Sequence, residues 1–180
     1  MISQQPYEER VAALLRELGI PASYGTDSGV PLHREATDLL SVGADIYGRD
    51  QRLTPDVAAR WQAMQAAAAQ QGVSLLLVSA FRSIDYQRQI WERKLAEGES
   101  VDQILRASAP PGYSEHHTGR AIDLTASGCD TLTEGFEGTP EFAWLVAHAG
   151  EFGFSMPYPR HNRFGFIYEP WHWSVNEIVA

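Results

Sequence analysis

Five of the six histidines lie at or after position 116. Two segments there set imidazole and carboxylate at spacings that serve chemistry. In Ser114-Glu115-His116-His117-Thr118-Gly119-Arg120-Ala121-Ile122-Asp123, a loop of small and polar residues runs into a strand. His116 then sits on the loop and Asp123 on one face of the strand. One imidazole and one carboxylate brought together by a turn make two of the three protein ligands of a catalytic zinc site. The bland alternative is a His that caps a turn beside an Asp paired with Arg. In Tyr168-Glu169-Pro170-Trp171-His172-Trp173, Pro170 takes the backbone out of regular pairing, so Glu169 and His172 can converge. A histidine that holds a metal and a carboxylate that accepts a proton from water form a hydrolytic pair. The alternative is a His172 packed between core tryptophans. A third feature is Arg82, directly after an apolar run. It can pair with Asp85 or a helix C-terminus. It can equally turn its planar fork of donors to a developing oxyanion or a substrate carboxylate.

Positioning these groups takes a mixed set of elements. Residues 6–19 read as an amphipathic helix with Tyr7, Val11, Leu14, Leu15 and Leu18 on one face and Gly19 at the stop. From Pro21 to Leu53 the chain is looser and rich in glycine, with short strands expected at Leu39 to Val42 and Asp45 to Tyr47. Thr54-Pro55-Asp56 opens a helix with a hydroxyl cap and Pro at the first position. Val57, Trp61, Met64 and Ala68 share its inner face. Val73 to Ala80 is the clearest strand. Ser83 caps a helix to about Leu95, with Ile84, Trp91 and Leu95 inward, and Ser100 to Gln103 forms a capping box. Arg120 to Thr125 alternates as a strand does. Thr139-Pro140-Glu141 opens a helix with Phe142, Leu145, Val146 and Ala149 inward, and short strands are expected at Phe164 to Tyr168 and Trp171 to Val175. This order, with few long parallel crossovers, predicts an α+β fold with a small, mostly antiparallel sheet flanked by helices.

Composition narrows the function classes. The chain has 180 residues, 44% of them hydrophobic and 21% charged, which supports one folded domain rather than disorder. Fourteen Lys and Arg against 23 Asp and Glu give a net charge of −9. An acidic chain with no basic run lacks the footprint that nucleic acid or an anionic membrane requires. No stretch reaches the roughly 18 apolar residues of a membrane span. The first ten residues do not read as a secretory signal. A cytoplasmic protein is therefore expected, or a periplasmic or cell-wall one if a leader has been removed. The single Cys129 excludes an internal disulfide and a Cys-rich zinc finger. Any metal must be held by imidazole and carboxylate.

Taken together, Arg-Ser after a strand, then S-x-H-x-x-G-x-A-x-D, then E-x-W-H resembles the VanY-type zinc D-alanyl-D-alanine carboxypeptidases. These belong with the VanX-type D,D-dipeptidases and the peptidoglycan L,D-carboxypeptidases. The resemblance covers about residues 54–175 and includes Gly112, Gly153-Phe154, Tyr158-Pro159 and Glu169 to Trp173. It implies a Hedgehog/DD-peptidase-like fold, with residues 51–180 as the peptidase domain; residues 1–50 lie outside the resemblance and are expected as an N-terminal helix-and-loop extension packed on the domain. It further implies one Zn2+ per chain held by His116, Asp123 and His172, with Glu169 as general base. Arg82 would steady the oxyanion, and Ser114 and Gln87 would line the pocket for the substrate's terminal carboxylate. His117 falls where the family often has Gln and is read as a neighbour, not a ligand. Before the last motif the family often carries a basic residue and then T-G-Y. Here the segment is Arg160-His161-Asn162-Arg163-Phe164-Gly165-Phe166, a departure at the substrate rim.

The expected reaction is removal of the C-terminal D-Ala from peptidoglycan stem peptides or small D-Ala-terminated peptides, by a monomer. The alternatives are an L,D-carboxypeptidase or a phage-type peptidoglycan endopeptidase on the same site. A non-catalytic zinc-containing binding module, as in Hedgehog signalling domains, is a third. The last of these needs the ligands alone, whereas this chain also carries Glu169 and Arg82.

Overall fold

The structure, a computed structural model, describes residues 6–175. Its centre is a four-stranded antiparallel sheet in the order β3 (Leu76–Ser79), β4 (Ala121–Thr125), β6 (His172–Val175) and β5 (Phe154–Ser155). All five residues of β4 are buried, because the strand is paired on both edges and covered on both faces. Helices α3 (Pro55–Gln70) and α6 (Pro140–His148) contribute to one core with the sheet, which includes Trp61, Met64, Ile122, Leu124, Leu145 and Trp173. Val57, Trp61, Met64 and Ala68 are buried along α3 as their spacing predicts.

A second apolar cluster joins α1 (Tyr7–Glu17), the turn of α2 (Tyr24–Ser28), α4 (Ile84–Ala96) and α5 (Val101–Ala107). Val11, Leu15, Tyr24, Trp91 and Ile104 meet there, together with Tyr158 and Phe166 from the long loop before β6. A hairpin of β1 (Leu40–Ala44) and β2 (Asp50–Leu53) forms a separate two-stranded sheet. Single 3-10 turns at Glu115–Thr118, Glu134–Gly138 and Ala149–Phe152 complete the elements. The α+β class with small antiparallel sheets is the observed one.

Several boundaries differ from the sequence reading. The expected strand at Asp45 to Tyr47 is a turn, because the Asp45 carboxylate accepts the backbone N–H groups of Tyr47 (2.8 Å) and Arg49 (3.0 Å). The strand β3 begins at Leu76 and not Val73, whose N–H closes α3 on the Ala68 carbonyl at 3.0 Å, next to Gly72 at φ +74°. Phe164 to Tyr168 is not a strand. The Asn162 side chain donates to the Pro159 and Phe166 carbonyls and folds the segment into turns. Val146 is 62% exposed rather than inward. Trp144, stacked on Phe152, turns the buried arc of α6 to its own side.

Candidate metal centre and active site

The centre is set by strand register. Asp123 on β4 lies directly opposite His172 on β6. The neighbouring pair carries a ladder bond, from Leu124 N–H to the Trp171 carbonyl at 3.0 Å. Asp123 and His172 therefore face each other as the non-hydrogen-bonded kind of pair, whose side chains approach most closely. His172 Nδ1 is 2.9 Å from Asp123 Oδ1.

His116 arrives from the 3-10 turn, which is sewn to the end of β3. The His116 Nδ1–H donates to the Ala80 carbonyl (2.6 Å), and Arg82 N–H donates to the His116 carbonyl (3.1 Å). His117 adds a third stitch, with Nδ1–H donating to the Arg82 carbonyl (2.6 Å) and Nε2 accepting Gly112 N–H (3.0 Å). It is thus a bracing group, with both ring nitrogens used on the backbone. The turn closes at Gly119, where φ is +64° and an added Cβ would fall 2.8 Å from Leu39 Cδ2. Only glycine fits there without strain.

This bonding fixes His116 with its Nε2 lone pair facing inward, 3.2 Å from Asp123 Oδ2. That nitrogen is buried and has no hydrogen-bond partner among the described residues, a costly state for an acceptor unless something is to be bound. One atom each from His116, Asp123 and His172 lies within 4.8 Å of the others, and all three residues are buried. Two imidazole nitrogens and a carboxylate oxygen with no thiol suit a catalytic zinc ion, which takes three protein ligands and keeps one position open. The residues fit the metal.

Arg82 stands beside this set, its Nη2 3.6 Å from Asp123 Oδ2 and its side chain 19% exposed. Asp85, the partner it could have had, is taken by Arg10 at 2.7 Å. Glu169 is buried, its N–H bound to the Tyr158 carbonyl and its own carbonyl accepting His172 N–H. Burial pushes its carboxyl up to about 7, with Asp123 and Glu115 adding to the rise against His172 and Arg82. Burial alone would depress His172. The carboxylates of Asp123 and Glu115 on its two nitrogens instead carry it up to about 10. Burial, helped by Arg82, takes His116 down to about 4, so its ring is neutral.

One cavity of about 460 Å³ is lined by Arg82, Gln87, Ser114, His116, Asp123, Glu169 and His172. The structure thus brings every residue singled out in the sequence to one place. Ser114 makes no capping bond in its turn. Gln87 lines the same cavity. Its Nε2 is committed to the Ala109 carbonyl (2.7 Å) and Ser108 Oγ (3.1 Å), and its buried Oε1 has no partner. Sequence reasoning passed over Glu115, whose Oε2 is 2.9 Å from His172 Nε2. Its signal was its place inside the histidine motif, next to His116.

An α+β domain with two histidines and an aspartate held on antiparallel strands and a turn defines a metallopeptidase-like class of site. The sequence profile of the VanY family, D-alanyl-D-alanine carboxypeptidase, matches residues 50–176, and the chain belongs to that family. A D-alanyl-D-alanine carboxypeptidase of Enterococcus faecalis is 30% identical over 175 residues, 92% of this chain and 58% of the relative. The chain spans about half the length of the curated relatives it matches. The LdcB LD-carboxypeptidase structure is similar with a TM-score of 0.70 and 29% identity, covering 82% of this chain and 72% of that one. VanYB in complex with D-alanine-D-alanine has a TM-score of 0.63, 28% identity, and coverage of 82% and 81%. A variant of the vancomycin-resistance D,D-pentapeptidase VanY in complex with Zn(II) has a TM-score of 0.58, 27% identity, and coverage of 87% and 82%. Among the described residues no helix is long and apolar enough to cross a membrane.

Proposed function

We propose that this chain is a zinc-dependent carboxypeptidase that removes the C-terminal D-Ala from peptidoglycan stem peptides. The observation that carries the reading is the single cavity in which the three candidate ligands, a buried carboxylate and an arginine beside them converge. The VanY relatives and their Zn(II) and D-alanine-D-alanine complexes support it. His116, Asp123 and His172 would hold the zinc ion, which when bound would polarise a carbonyl and make a water molecule acidic enough to attack near neutral pH. Glu169 accepts the proton of that water and returns it to the leaving amine. Its burial suits this exchange, since a base works best when its affinity for protons is near the operating pH. Arg82 turns its guanidinium to the carbonyl oxygen as negative charge grows there. Ser114 supplies a hydroxyl to the substrate's terminal carboxylate. Gln87 presents its free Oε1 as an acceptor for a substrate N–H. Residues 1–50 act as an extension packed on the peptidase domain of residues 51–180, a reading supported by the α1 contacts with α4 and α5.

An L,D-carboxypeptidase is the second reading, favoured by the larger TM-score of the LdcB structure than of the two VanY structures. The deciding experiment incubates zinc-loaded protein with a pentapeptide stem, a tetrapeptide stem and D-Ala-D-Ala, and identifies products by mass. Loss of D-Ala from the pentapeptide supports the D,D reading, and loss from the tetrapeptide alone replaces it with the L,D one. Cleavage of none of the three by metal-replete protein rejects both.

A further inference from the structure

The two histidines of the centre offer opposite nitrogens. His116 turns Nε2 inward because its Nδ1–H is spent on the Ala80 carbonyl (2.6 Å). His172 turns Nδ1 inward, 2.9 Å from Asp123 Oδ1, while its Nε2 meets Glu115 Oε2 at 2.9 Å. An imidazole that binds a metal is neutral and carries its single proton on the nitrogen away from the ion. Whichever acceptor holds the outer N–H therefore decides which nitrogen is left to bind a metal. For His116 that acceptor is a backbone carbonyl, which no side-chain change can remove. For His172 it is a carboxylate on a side chain, 19% exposed in its surroundings and drawn from the residue next to His116.

From this geometry we infer that Glu115 is a positioning residue for the metal, fixing His172 as an Nδ1 ligand with its proton on Nε2. The inference rests on the proposed metal site. Its content is separate, because Glu115 touches neither the ion nor the substrate in this role. The same short turn thus supplies one ligand, His116, and the group that orients another, His172. A carboxylate partner also makes the ring a stronger electron donor than a carbonyl partner does. Tyr158 packs beside the His172 ring with centroids 4.9 Å apart. The ring is thereby held in plane as well as in tautomer.

The test compares the native protein with Glu115→Gln and Glu115→Ala by competition for Zn2+ against a chromophoric chelator. Long-range 1H–15N spectra of the histidine side chains are recorded in parallel on the zinc-loaded forms. Glu115→Ala should weaken zinc binding roughly 10–100-fold. Glu115→Gln keeps an acceptor without the charge and should fall between. The native spectrum should show His172 protonated at Nε2, and Glu115→Ala should show that Nε2–H signal lost or exchange-broadened while His116 is unchanged. Thermal melts of the apo forms identify any variant that fails to fold, and the Gln form then carries the comparison. Zinc affinity within twofold of native in both variants, or a native His172 protonated at Nδ1, overturns the inference. A native protein that binds no zinc overturns the metal site itself.

Discussion

The two sides of the cavity are built in contrasting ways. One side is sheet: Asp123 and His172 are cross-strand partners, and Asp123 is also opposite Ser79 on β3. The other side is loop. Arg82 lies beyond the end of β3, Ser114 before a single turn, and Glu169 at a proline corner. The sheet side fixes atoms through ladder bonds and a covered core, so its geometry is insensitive to what occupies the cavity. The loop side holds its groups by a few backbone stitches. Metal affinity should therefore be a property of the strands together with the Glu115–Thr118 turn stitched to them, and turnover and selectivity a property of the remaining loops.

Exchanging one residue from each side breaks this contrast most sharply. Asp123→Ala removes a ligand and leaves Arg82 and the two histidines without their shared carboxylate. Removing one partner of a buried charge pair costs about 3–5 kcal/mol. Zinc content by elemental analysis should fall to background, and the urea midpoint of the apo protein should drop. Glu169→Gln should keep its zinc and its midpoint and lose about 10²–10⁴-fold in kcat. If Glu169→Gln lost metal as Asp123→Ala does, the division between strands and loops would be wrong.

Arg82 is intermediate, since it reaches from a loop to Asp123 on a strand. If it acts on charge that grows in the transition state, Arg82→Ala should lower kcat and kcat/KM together, by about 10²–10³-fold. Arg82→Lys should recover part of this, because a point charge lacks the planar fork. A rise in KM with kcat unchanged would assign Arg82 to gripping the substrate carboxylate instead.

What was legible in the sequence follows the same division. Residue types in two compact motifs made His116, Asp123 and His172 candidates beside a structural alternative for each, and the resemblance to the VanY family implied them as the ligand set. The helices with hydroxyl caps were legible too. Ser83, Ser100 and Thr139 each accept the expected N–H. Thr54 sits at the predicted N-terminus, but its hydroxyl donates to Asp56 Oδ1 at 2.8 Å. The pairing of Asp123 with His172 was not legible. It joins residues 49 apart in sequence, and register over that separation depends on the whole sheet. Glu115 was hidden for a related reason, since its meaning lies in a ring 57 residues away. The Asp45 turn was misread because a single carboxylate overrode the local strand pattern.

The smallest expected effect concerns His117, where the two sides are joined. Its ring spans the Arg82 carbonyl and the Gly112 N–H, and it is fully buried. It offers one donor and one acceptor. A glutamine side chain also carries an acceptor oxygen and an NH2 donor group, at a similar reach from the backbone. His117→Gln should therefore keep both stitches and leave zinc content and melting temperature close to native. His117→Ala leaves a carbonyl and an N–H buried without partners, at about 1–3 kcal/mol for such a group. A fall in melting temperature of several degrees follows for a domain of this size, with about 2–4 °C per kcal/mol. The metal should stay, because His116 is held by Ala80 and not by its neighbour. The activity loss should exceed what the retained zinc explains, because the released backbone is that of Arg82. Equal melting temperatures for the Gln and Ala forms would show that the bracing bonds contribute nothing. Loss of zinc in the Ala form would place the join on the metal side of the cavity.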